Sequence, residues 1–81
     1  MKLELYQHAV IALDLPDLGL RQGDLVTVVD ELRAKDGSLG YAVEVFNAVG
    51  ETLDVHMLPS TALEPARKDE ILCVRRLPLA A

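Results

Sequence analysis

The sequence predicts a small all-β barrel, and three observations carry that prediction. A β-branched run, LVTVV at residues 25–29, is entered through a turn dense in proline and glycine. Two alternating stretches, YAVEVF (41–46) and LDVHML (53–58), flank a turn that contains Gly50. The segment between the last strands, Pro59, Ser60, Thr61 and Ala62, suits a single 3₁₀ turn and is too short for an α-helix.

Taken in order, residues 9–13 (AVIAL) form a short apolar run bounded by turn residues, which favours a strand over a helix. Residues 1–5 (MKLEL) alternate, so they are expected to extend that strand or to form an edge strand of their own. Asp14 to Gly19 is a turn by its chemistry. Pro16 presets φ, Asp14 and Asp17 can accept nearby backbone N–H groups, and Gly19 can supply a positive φ. Leu15, Leu18 and Leu20 are expected to fold back over an open end of the barrel, and Gly23-Asp24 makes a second tight turn.

Residues 25–32 (LVTVVDEL) read as the firmest strand, with Val26, Val28 and Asp30 on one face and Leu25, Thr27 and Val29 on the other. Asp36-Gly37 marks a hairpin loop. The next strand is expected to turn Tyr41, Val43 and Val45 inward and Ala42, Glu44 and Phe46 outward. The one after it is expected to turn Leu53, Val55 and Met57 inward and Asp54 and His56 outward. Leu63-Glu64-Pro65 makes a short last strand. A charged connector, ARKDE, then leads to residues 71–77 (ILCVRRL), expected as an additional strand before Pro78 and an Ala-rich end.

Composition narrows the classes of function. Eighty-one residues make one domain, and a chain of that size buries only about 60–65% of its unfolded surface. The 51% hydrophobic content excludes disorder and slightly exceeds average usage, which hints at a surface buried against a partner. A net charge of −5 argues against nucleic acid. A lone cysteine, Cys73, cannot form an intrachain disulfide. The first residues lack a signal-peptide core, because Glu4, Gln7 and His8 interrupt them, and no apolar run approaches a membrane span. A cytoplasmic protein without membrane contact is the expectation.

No constellation of catalytic, cofactor-binding or metal-binding residues stands out. Asp54 and His56 share one strand face but lack further metal ligands at motif spacing and lack a nucleophile, so they read as surface residues. Cys73 reads as a small buried hydrophobe, with Arg75 the one cation on its face. Residues 19–23 (GLRQG) have no helix to present N–H groups to a phosphate and read as a turn. Tyr6, Tyr41 and Phe46 are too few and too scattered for a polyproline groove or a base-stacking platform. The acids Asp14, Asp17, Asp24, Asp30, Glu31, Asp36 and Glu51 concentrate in turns and strand ends, as a solvated rim or a docking face for a basic partner.

A loop-entered strand, a hairpin, a single 3₁₀ turn and a short last strand follow the order of SH3-like barrels. Residues 13–65 resemble a family of short bacterial SH3-like proteins catalogued as a domain of unknown function. The resemblance rests on Asp14-Leu15-Pro16, Gly19-Leu20, Gly23, Thr27-Val28-Val29, Tyr41, Val43-Glu44-Val45 and Gly50. It departs at Val26, where the family usually has glycine, and in everything after Pro65. It implies a barrel of five or six strands and implies no activity.

The resulting expectation is an SH3-like barrel over residues 1–65 and a C-terminal extension over 66–81. Half of the basic residues lie in that extension: Arg67, Lys68, Arg75 and Arg76. Its strand 71–77 either closes the barrel's own edge or adds to a second subunit. Leu15, Leu18, Leu20, Leu72, Val74 and Arg76 are the expected interface. The expected role is non-enzymatic, a protein-interaction or self-assembly module acting as a homodimer or on a larger protein. The alternative is an accessory or small subunit of an enzyme complex.

Overall fold

The computed structural model describes residues 2–77. Met1 and residues 78–81, including the Pro78 expected to bound the tail strand, lie outside the described residues. Five strands form one antiparallel sheet: β1 (His8–Ile11), β2 (Leu25–Arg33), β3 (Leu39–Phe46), β4 (Thr52–Pro59) and β5 (Leu63–Pro65). Their spatial order is β4-β3-β2-β1-β5, so β4 and β5 are edges and no ladder closes the sheet. A 3₁₀ turn, Ser60–Ala62, carries the chain from β4 to β5, as the short segment predicts.

The register shows why the core sits where it does. Directly opposed residues in an antiparallel pair share a face. Ala9 faces Val26, Val26 faces Val45, and Val28 faces Val43. Ala9, Val26, Val28 and Val43 are all fully buried, with Leu3, Ile11, Leu20, Tyr41, Leu58, Ala62 and Leu63 completing the core. The inward set expected for β3 (Tyr41, Val43, Val45) therefore holds, Val45 packing partly buried against that cluster.

Two register shifts correct the sequence reading. Val28 pairs with Val43, but Asp30 pairs with Ala42, so Val29 is an extra residue and the strand's faces exchange after it. Asp30 thus lies opposite to Val28 rather than beside it. The second shift falls between Val45 and Phe46, and beyond it β4 is set so that Tyr41 faces Leu58 and Val43 faces His56. The inner face of β4 is therefore Asp54, His56 and Leu58, the reverse of the expectation. Leu53, Val55 and Met57 point outward, 46% to 69% exposed. Apolar alternation selects the greasier face for the core, but here the pairing partners, not the apolarity, decide.

Residues 2–5 form no strand. Leu3 instead drops into the core, and its N–H donates to the buried Tyr41 hydroxyl oxygen at 2.9 Å. Tyr6, at φ 66°, turns the chain into β1, and Tyr6 and Gln7 exchange backbone hydrogen bonds with Val28 across the bulge. The β1–β2 connection behaves as its composition predicts. Pro16–Leu18 is a 3₁₀ turn that ends on Gly19 in the left-handed region, φ 71°, where a side chain would be strained. Leu15 and Leu20 exchange backbone hydrogen bonds of 2.9 and 3.1 Å across it.

The strand expected over residues 71–77 is absent. This stretch makes no ladder, and neither closes the chain's own sheet edge nor pairs elsewhere within the described residues. The connector before it folds on itself: Glu70 accepts the Arg67 N–H at 2.7 Å, and the Arg67 guanidinium grips Asp69 with two 3.0 Å bonds.

Candidate interaction surface

The tail runs back over the β1–β2 side of the sheet and is fastened there by one side chain. Arg75 Nε donates to Asp24 Oδ1 at 2.9 Å and Nη2 donates to Asp24 Oδ2 at 2.6 Å, with a further 2.9 Å bond from Nη2 to the Gly19 carbonyl. The planar guanidinium fork matches the carboxylate, which makes this a directional clamp rather than a loose ion pair. The two side chains are only 27% and 19% exposed.

Asp24 is held ready by its own turn. Its Oδ2 also accepts the Arg21 N–H at 2.8 Å. Gly23 N–H and Asp24 C=O bond to Ile11, tying the turn to β1. The hydrogen-bonded guanidinium, more than offsetting partial burial, lowers the Asp24 carboxyl below its ordinary value of 3.8. The same contact raises Arg75. Sequence reasoning named Asp24 only among the rim acids and Arg75 only among the tail cations, did not pair them, and placed Arg76 at the interface. Fifty-one positions separate them, so no local pattern could have shown the pair.

Around this clamp lie two open grooves. The larger, about 540 Å³, lies between the tail and the body and is lined by Leu18, Leu20, Phe46, Leu53, Leu72 and Val74 among others. The smaller, about 410 Å³, lies between residues 70–75 and Val10, Gln22 and Leu25. The tail does not sink into either. Ile71, Leu72 and Val74 remain 72% to 90% exposed. Cys73, expected to be buried, is also exposed and unbonded to another sulfur.

Of the expected interface residues, the structure places Leu20 in the core and Leu15 half-buried against it, so these two cap the interior. Leu18 stays exposed at the groove mouth, with Leu72 and Val74 lining the same groove. Arg76 is exposed. His56 Nε2 lies 3.5 Å from Asp54 Oδ2 at the β4 end of this groove. Cys73 lines the groove too, but among the described residues no three His, Cys, Asp or Glu side chains converge as metal ligands. His8 sits on the other side of the sheet, its ring 6.0 Å from that of Phe46.

With the strands and the clamp in place, comparison with known proteins adds one finding. A family model matches residues 5–65, a stretch that contains all five strands and ends at Pro65. The chain belongs to the family described as Domain of unknown function (DUF4926). The clamped tail lies beyond the matched stretch of the DUF4926 domain, while its acceptor, Asp24, lies within it. No curated protein and no solved structure matches the chain. Among the described residues no helix is long and apolar enough to cross a membrane.

Proposed function

We propose that this domain is a non-enzymatic protein-interaction module whose contact surface combines the outer face of β4 with the tail. One observation carries the reading: seven of the twelve exposed large apolar side chains among the described residues are gathered in two strips. Leu53, Val55 and Met57 occupy one, and Ile71, Leu72, Val74 and Leu77 the other. Single exposed hydrophobes are ordinary, whereas contiguous strips of them on a small domain mark surfaces that a partner covers. β4 adds weight to this, because its register leaves the more apolar of its two faces outside.

The fold supports the same reading. A 3₁₀ turn between the last two strands, a long loop after the first, and the order β4-β3-β2-β1-β5 favour an SH3-like arrangement, an architecture that hosts many binding roles and dictates none. Among the described residues Phe46 is the one Phe, Tyr or Trp that lines either groove, whereas a polyproline-reading groove needs an aromatic-lined surface.

A photo-cross-linking residue placed at Val74, in cells of the natural source, tests the module. A defined adduct is expected, either at twice the chain mass or at that of a different protein. A specific heavier partner would make the domain an accessory subunit of that protein. Absence of any adduct at both Val74 and Val55 would end the reading.

A further inference from the structure

We infer that the partner is a second copy of this chain, and that the tail segment 71–77 of each copy pairs with the open edge of β4 in the other. The inference rests on the module reading above and names its occupant. Three features point to it.

Among the described residues, the open side of β4 and the tail segment both lack a backbone partner. β4 lies at the end of the sheet order, with a neighbour on one side only. Among the described residues, 71–77 take part in no ladder, and none of the backbone hydrogen bonds outside the strands reaches them. An extended segment and an edge strand are the two halves of a strand-addition contact. Their lengths match, seven residues against the eight of β4.

The charges are also complementary. Natural edges are commonly guarded by lysine, but β4 (TLDVHMLP) has no Lys or Arg and presents the exposed Asp54 carboxylate. Glu44, which accepts a hydrogen bond from the Thr52 hydroxyl, and Glu51 add to the acidity beside it. Segment 71–77 contains Arg75 and Arg76 and no acid. Arg75 is committed to Asp24, and Arg76 makes no ion pair among the described residues. It is the cation available to meet Asp54 of a second copy.

Finally, the clamp holds the segment beside the start of β2 and away from a ladder on its own chain. Asp24 directly precedes β2, and two interstrand spacings, about 10 Å, separate β2 from β4. With Arg75 held there, residues 71–75 lie along Val10 and Leu25, and although Leu72, Val74 and Leu77 share the larger groove with Leu53, Asp54 and His56, no backbone hydrogen bond joins the segment to its own β4 among the described residues. The clamp instead holds the segment against its body with Ile71, Leu72 and Val74 turned to solvent. Each copy then supplies one presented segment and one acceptor edge, which closes as a two-fold pair.

Sedimentation of the full chain and of two single variants, V55K on the edge and V74D on the tail, tests this. Wild type is expected at twice the 8.9 kDa chain mass. Each variant is expected to raise the dimer dissociation constant by about tenfold or more, with an unchanged β-sheet circular dichroism spectrum. An equimolar mixture of the two variants restores dimer, because one tail–edge contact stays intact and the other sets the introduced carboxylate beside the introduced ammonium. A monomeric wild type, or a mixture no more associated than either variant alone, overturns the second copy as partner. A cross-link from Val74 to a different protein overturns it too while leaving the module reading standing.

Discussion

The sheet and the tail are built from similar residues and end in opposite states. Val28 in β2 is fully buried, and Val74 in the tail is 84% exposed. Val28 has β3 on one side and the backbone of Tyr6 and Gln7 on the other, and lies in a cluster with Val26, Tyr41 and Val43. Among the described residues Val74 belongs to no ladder, and its segment is hydrogen-bonded to the body through Arg75 alone. A β-branched alternating segment thus acquires a strand's environment only where a neighbour supplies hydrogen bonds and a face to pack on. The sheet supplies these to itself. The tail is left presenting what a strand needs.

That contrast can be broken most forcefully from the sheet. Tyr41→Ala removes the largest fully buried side chain and is expected to cost about 3–5 kcal/mol, enough to unfold a domain of marginal stability. Loss of the far-ultraviolet β signal checks it. Tyr41→Phe isolates the hydroxyl: the buried Leu3 N–H loses its acceptor, an effect of about 1–3 kcal/mol, read from the urea midpoint. Gly40→Ala would set a Cβ 3.0 Å from the Leu58 backbone oxygen. Both backbones are held in the β3–β4 ladder, so about 1–3 kcal/mol is expected, again from the urea midpoint.

On the tail the same size of chemical change should barely touch stability. Arg75→Ala is expected to lower it by under about 1 kcal/mol while freeing residues 71–76. Backbone order parameters there should fall below about 0.6 as those of β2 stay unchanged. Acid should act in the same direction. The Asp24 carboxyl is lowered below 3.8 by the guanidinium, so the clamp's contribution is complete above that value and is lost as pH falls through the lower folded value. Tail amide signals should therefore shift only as pH falls below the ordinary carboxylate range, because the guanidinium keeps Asp24 ionised further into acid. Smallest of all, Leu72→Asp should alter the urea midpoint of dilute protein by no more than about 0.5 kcal/mol, since Leu72 lies exposed.

The sequence was legible wherever the information is local. The runs of β2, β3 and β4, the Asp-Gly hairpin loop, the Pro16 and Gly19 turn and the 3₁₀ turn after Pro59 all appear where their residues place them. In the β3–β4 turn, Asn47 Oδ1 accepts the N–H groups of Val49 and Glu51, as a turn asparagine is suited to do. The interface residues were partly legible for the same reason: Leu72 and Val74 are apolar residues that no local partner claims. Leu15 and Leu20 equally look unclaimed in the sequence, yet the 3₁₀ turn folds them onto the core.

What the sequence by itself determined is a set of β segments, their turns, and a charge contrast between an acidic body and a basic tail. Tertiary structure alone decided which face of β4 is inside, because one extra residue at the Val45–Phe46 shift exchanges the faces and alternation cannot register it. It alone sent Leu3 to the Tyr41 hydroxyl, 38 positions away, and Arg75 to Asp24, 51 away. It also left residues 71–77 unpaired, because periodicity records a segment's capacity to be a strand, while a strand exists only when a second backbone lies alongside it.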